Sequence, residues 1–139
     1  MDTNTPENAV SATIDSRFPD IDLADGEHYA GLTRDHATGA WHHLVLLPAT
    51  TDKNLTWQEA IDWAKSVGGE LPSRFESALL YANLRDKIDR DYWYWTATPH
   101  AEPSRAWFQN FHLGYQGYGP KGYRYRARAV RRVPFEESK

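Results

Sequence analysis

Residues 56–76 read TWQEAIDWAKSVGGELPSRFE, and this stretch decides the class of fold. Thr56 followed by Glu59 forms a capping box, in which hydroxyl and carboxylate satisfy backbone N–H groups at the start of a helix. Trp57, Ala60, Ile61, Ala64 and Val67 then fall on one helical stripe, widened by Trp63. Gly68-Gly69 supplies the positive φ that stops a helix. Ser73 and Glu76 make a second box and open a second helix. Phe75, Ala78, Leu79 and Ala82 share one of its faces, and Leu80 and Leu84 lie on the other. The pattern predicts a second helix buried nearly all round.

Before the helices, Glu27 to Thr33 and Trp41 to Leu47 read as strands. They are joined by Asp35-His36-Ala37-Thr38-Gly39, which is turn chemistry. Trp41, Val45 and Leu47 are apolar on one face of the second strand, and Leu44 and Leu46 on the other. A strand apolar on both faces is central in its sheet. After the helices the pattern returns to strands at Tyr92 to Thr98, Arg105 to Leu113 and Tyr123 to Val133. The last two are joined by a stretch, Gly114 to Gly122, that holds four of the nine glycines and reads as a loop. The order β-β-α-α-β-β-β is that of an α+β domain.

The chain has 139 residues, which suits one domain, with 40% hydrophobic and 25% charged residues. Its net charge of −3 excludes a generally basic, histone-like binder but leaves room for a local basic patch. It contains no cysteine, which excludes a disulfide framework, a zinc ribbon and a thiol nucleophile. No apolar run reaches the roughly 18 residues of a membrane helix. Seven acids (Asp2, Glu7, Asp15, Asp20, Asp22, Asp25, Glu27) stand against Arg17 alone in the first 27 residues. This opening does not read as a secretory leader. The expected division is a flexible acidic arm over 1–24, docking through Phe18, Ile21 and Leu23, a folded domain over 25–134 and a short tail over 135–139. The 6 Trp, 8 Tyr and 5 Phe exceed what one small core absorbs, so some aromatic rings are expected at the surface, where they favour binding.

These words in this order resemble the C-type-lectin-like fold, and more narrowly the Lcl C-terminal domain family found in bacteria and their phages. The resemblance spans about Glu27 to Val133. It is carried by Trp57-Gln58-Glu59-Ala60, by Gly68-Gly69-Glu70-Leu71-Pro72-Ser73-Arg74-Phe75-Glu76, by Tyr94-Trp95-Thr96-Ala97, by Ala106-Trp107-Phe108, and by Arg-Ala-Arg-Ala-Val-Arg-Arg over 126–132. It implies two helices flanking a small twisted, mainly antiparallel sheet, with paired N- and C-terminal strands. The sequence lacks the paired cysteines and the Glu-Pro-Asn, Gln-Pro-Asp and Trp-Asn-Asp words of calcium-dependent lectins. It also lacks the cysteines of the sulfatase-activating oxidases that share the fold. The resemblance thus implies a calcium-independent binding module, in the cytoplasm of a bacterial host cell or associated with a virion.

No constellation reads as catalytic. Ser73 and Glu76 are explained as a capping box, and Arg74 as a partner for a carboxylate. The six histidines His28, His36, His42, His43, His100 and His112 show no i, i+4 ligand spacing. His42 and His43 face opposite ways on a strand, so only a hairpin site with His28 is geometrically open to a metal. Asp89 and Asp91 read as a solvated loop. No phosphate-cradling glycine word occurs. A non-enzyme without cofactor or metal is the expectation.

Two binding surfaces are candidates. The first is the aromatic Gly-rich loop, with Tyr115, Gln116, Tyr118 and Lys121 above a floor of Trp93, Gln109, Asn110 and His112. Tyrosine among amides and glycines has paratope-like composition, which favours a protein or glycan partner. The same tyrosines could instead cap the core. The second is the Arg-rich last strand, in which alternation puts Arg124, Arg126, Arg128 and Arg132 on one face. Such a face fits a nucleic acid or other polyanion. Internal pairing, with Asp22, Asp25 and Glu27 nearby, is the alternative reading. The sequence leaves the oligomeric state open.

Overall fold

The computed structural model describes residues 21–135. Strand β1 is His28–Arg34 and β2 is Trp41–Thr50. Helix α1 is Trp57–Ser66 and α2 is Arg74–Leu84, followed by a 3₁₀ turn at Arg85–Lys87. Strands β3 (Trp93–Pro99), β4 (Arg105–Asn110), β5 (Gln116–Pro120) and β6 (Arg128–Pro134) complete the chain. The strands divide into two three-stranded antiparallel sheets, ordered β1-β2-β6 and β3-β4-β5, where the resemblance implied a single small sheet. The N-terminal hairpin and the C-terminal strand thus share one sheet, with the doubly apolar β2 at its centre.

Both helices start as their sequence dictates. Thr56 and Ser73 each accept the N–H of the glutamate three residues on, and each glutamate returns the bond. Gly68 takes φ +87° just past α1. Short isolated bridges tie the sheets to the connecting segments. Glu70 exchanges both backbone bonds with Val130, at 3.0 and 2.8 Å, and Tyr125 does so with Leu55 at 2.9 and 2.7 Å. Trp95 N–H donates to the Arg126 carbonyl, and Arg126 N–H to that of Trp93. Two apolar clusters result: one around Trp95, Phe108, Leu47 and Leu55 under α1, the other around Leu44, Leu46, Tyr94 and Phe111 under α2.

Four expectations are corrected. Helix α2 is buried on one side only: Glu76, Ser77, Leu80 and Leu84 face inward, while Phe75 is exposed. The apolar pattern misleads because an inward position is held by a charged glutamate with internal partners. The Gly114 to Gly122 stretch is not one loop, since Gln116–Pro120 pairs with β4. Glycine is accepted in that strand because a Cβ on Gly117 would stand 2.7 Å from the Phe108 ring, and one on Gly119 would stand 3.0 Å from the Tyr125 hydroxyl. Strand β4 ends at Asn110, whose Oδ1 accepts the N–H groups of His112 and Leu113 and closes the hairpin. The last strand pairs regularly only from Arg128, so strict alternation from Tyr123 fails.

Of the proposed arm, Ile21 is buried and the Asp22 carbonyl accepts from Arg131. Leu23 is half-buried, and residues 1–20, Phe18 included, and tail residues 136–139 lie outside the described residues. Among the described residues no helix is long and apolar enough to cross a membrane.

Candidate functional site

Pairing in the second sheet sorts the aromatic residues by face. Trp93 lies opposite Asn110, and Asn110 donates its N–H to the Tyr115 carbonyl at 2.9 Å. Trp93, Asn110 and Tyr115 therefore form one cross-strand row on the same face. The next row is Trp95, Phe108 and Gly117, and the third brings Ala106 against Gly119. Glycine at both β5 positions leaves room for the Phe108 ring, which lies against Gly117 and is buried, and for the Tyr125 hydroxyl against Gly119. Trp93 stacks on Phe108 with ring centres 4.8 Å apart and planes 2° from parallel. Tyr125 leans over the middle row, 4.6 Å from Trp95, 5.0 Å from Phe108 and 5.6 Å from Trp93. Tyr123 lies against Gly119. Burial, together with the neighbouring Tyr123 and Tyr115 phenols, pushes the Tyr125 phenol up in pKa.

The outcome is an aromatic face whose base is rigid and whose tips are wet. Trp93, Tyr115 and Tyr123 are 40%, 46% and 58% exposed. Aromatic rings held by stacking and by a sheet lose little entropy when a partner covers them.

The residues singled out from sequence do not gather at one place. Trp93 and Tyr115 belong to this face. Tyr118 lies on the opposite side of the sheet, stacked 3.9 Å from His100 and edge-on to Trp107 at 5.2 Å. Gln116 points to that same side, where its Nε2 donates to the Arg74 carbonyl and to Gln109 Oε1, and its Oε1 accepts from Arg74 Nε. Gln109 is buried and donates to the carbonyls of Asn110, Gly114 and Tyr115. These amides are scaffold that fixes the β4–β5 hairpin. Asn110 closes its turn, and His112 is exposed within that turn. The Lys121 ammonium sits 4.5 Å from the Trp57 ring centre, away from the loop role assigned to it. Sequence reasoning missed Phe108, Tyr123, Tyr125 and the two glycines. The signal was the alternation of Gly117 and Gly119, a strand period with no side chain on one face.

The arginines are dispersed rather than aligned. Arg124 pairs with Glu59 at 3.1 Å, both exposed. Arg126 donates to Asn54 Oδ1 and the Thr51 carbonyl, and lies 3.9 Å over the Tyr92 ring. Arg128 is buried. Arg131 pairs with Glu27, so the acidic N-terminal partner is real but meets a different arginine from those predicted to form the face. Arg132 pairs with Glu76 and Glu70.

Glu76 is the hub of the opposite pole. It accepts from Arg132 Nε and Nη2 at 2.7 and 2.8 Å, from His42 Nε2 at 2.6 Å and from the Ser73 N–H at 2.8 Å. Burial alone would raise its carboxyl pKa, but these bonds and the Arg132 charge outweigh it and hold the group low. Four donors saturate it, so it has no free lone pair suited to general-base work. Among the described residues no three His, Cys, Asp or Glu side chains are placed to hold a metal. His42 faces Glu76 while His43 meets the Tyr29 hydroxyl at 2.8 Å. No protein-family model matches the chain, and no curated protein matches it in sequence.

Proposed function

We propose that this domain is a non-catalytic binding module of the C-type-lectin-like kind, related to the Lcl C-terminal domains of bacteria and phages, that recognises a protein partner. The observation that carries the reading is the trio of half-exposed rings, Trp93, Tyr115 and Tyr123, set around a stacked and glycine-floored sheet face. Tyr and Trp are the residues that dominate binding energy at protein interfaces. An Arg-rich polyanion surface is less well supported, because Arg124, Arg126, Arg128 and Arg132 point to separate internal or acidic partners.

The test compares wild type with a Tyr115→Ala, Tyr123→Ala double variant as bait in bacterial lysate, at low and high salt. Each hot-spot aromatic contributes about 2 kcal/mol or more, so the double variant is expected to lose the specific band by at least tenfold. Both rings are exposed, so the melting temperature should stay within about 2 °C. Undiminished capture overturns the reading, and so does a large drop in stability, which would make the rings core. Capture that survives protease but not periodate treatment of the lysate would assign a glycan instead.

A further inference from the structure

Where β6 begins, a pocket of about 190 Å³ opens beside the 3₁₀ turn, with Thr51, Lys87, Asp89, Tyr92, Arg126 and Arg128 among its walls. Arg128 is 7% exposed. Its Nη1 and Nη2 donate to the carbonyls of Lys87 and Leu47, at 3.1 and 2.9 Å, and its Nε–H has no acceptor among the described residues. Both of its acceptors are neutral. Arg124, Arg131 and Arg132 each hold a carboxylate, whereas Arg128 holds none among the described residues. Among the described residues, Arg126 beside it likewise bonds only to an amide, a carbonyl and a ring face. Among the described residues the Lys87 ammonium pairs only with the exposed Asp86, at 3.9 Å. The carboxylate of Asp89, on the wall, accepts the Asp91 N–H within its own turn.

A buried guanidinium without a countercharge is expensive. Burial accordingly pushes the Arg128 pKa down. The effect reaches His28 on β1: burial, then Lys87 and Arg128, push its imidazole pKa down, with Asp86 pulling the other way. Among the described residues, two guanidiniums and an ammonium thus line one concavity against a single wall carboxylate, that of Asp89, an excess of positive charge. The volume is several times the roughly 30 Å³ a liquid water occupies, enough for a tetrahedral oxyanion. The Thr51 hydroxyl accepts the Ala127 N–H and so keeps its own proton to donate.

We propose that this pocket binds an oxyanion of the phosphate class, either free or as the phosphomonoester of a larger ligand, with Arg128, Arg126 and Lys87 providing the charge. Guanidinium groups match the oxygens of such an anion better than a spherical halide. The site does not depend on the aromatic face.

The probes are sulfate, which stays dianionic throughout the titration, and inorganic phosphate, each against chloride at matched ionic strength. Two readouts are followed on the full chain: the imidazole titration of His28 by NMR, assigned by its loss in His28→Gln, and the melting temperature. Sulfate is expected to move the His28 pKa up toward the ordinary imidazole value. Both oxyanions should raise the melting temperature saturably, as a ligand of the folded state does. Arg126→Gln with Lys87→Gln, at positions less buried than Arg128, should weaken the apparent affinity tenfold or more, because charge-assisted bonds are lost. Arg128→Gln is a second variant and is read only if it folds. Equal responses to sulfate and chloride overturn the proposal, as does an oxyanion response unchanged in the double variant. A phosphoserine peptide that binds tighter than inorganic phosphate supports the site and identifies the ligand as a phosphomonoester. Binding confined to an oligonucleotide, with no response to either inorganic ion, overturns it in favour of a polyanion surface.

Discussion

Glu76→Ala is expected to cost about 3–5 kcal/mol of folding stability, the usual penalty for removing one member of a buried ion pair. The side chain is almost fully buried. It joins β6 through Arg132, β2 through His42 and the start of its own helix through Ser73. Its loss leaves Arg132 with the exposed Glu70 and the Leu71 carbonyl. The capping bond, worth about 1 kcal/mol, goes with it. Glu76→Gln keeps the volume and an acceptor oxygen but not the charge, and should cost less, about 1–3 kcal/mol. Urea unfolding at neutral pH, followed by circular dichroism, measures both. A change within about 0.5 kcal/mol for the alanine variant would show the cluster to be surface decoration.

The same carboxylate sets an acid limb. Its folded pKa lies below the ordinary value of 4.5, so the unfolded state binds the proton more readily. The stabilisation is complete above about pH 4.5 and fades as pH falls through the lower, folded value. Glu27 acts in the same direction, because the hydrogen bond from Arg131 outweighs its burial. His28 and His43 also have folded pKa values below the ordinary 6.5, chiefly from burial. Their contribution is complete above about pH 6.5 and fades below it. Stability should therefore fall in two stages on acidification. Glu76→Ala should flatten the lower stage and leave the histidine stage in place. A single unchanged acid limb in the variant would locate the titrating group elsewhere.

What could be read in advance was local. The boxes at Thr56 and Ser73 span four residues each, so the sequence contains the entire interaction. The central place of β2 follows from its own apolar faces. The arginines show the opposite case. Arg126 finds Asn54, Arg128 finds the Leu47 carbonyl, and Arg132 finds Glu76, all from distant parts of the chain. Strand alternation cannot foresee partners brought together by a sheet crossover. Strand β5 was hidden because glycine disfavours strands on its own, and only the Phe108 and Tyr125 rings above it make glycine necessary. The candidate site was half legible: Trp93 and Tyr115 stood out as aromatic, while Tyr123 and Tyr125 joined them through the long-range bridges of Tyr125 to Leu55 and of Arg126 to β3.

Trp95→Ala should be comparably damaging, at about 3–5 kcal/mol, because it empties the largest fully buried side chain. Its ring fills the space between β3 and the segment that carries Tyr125, and its Nε1–H donates to the Leu55 carbonyl at 2.8 Å. That carbonyl also accepts the Tyr125 N–H, so it is not orphaned when the indole goes. The cost is therefore one of volume, and Trp95→Phe, which restores most of the volume but no donor, should recover more than half of it. If the lost hydrogen bond dominated instead, phenylalanine would be nearly as damaging as alanine. The pair also tests how the aromatic face is supported. Tyr125 rests on Trp95 and in turn lies beside Trp93 and Phe108. In Trp95→Phe, measured where the variant is still folded, the exposed rings should keep their arrangement and partner capture should persist. Loss of capture at preserved fold would mean that the recognition geometry depends on the indole beneath it.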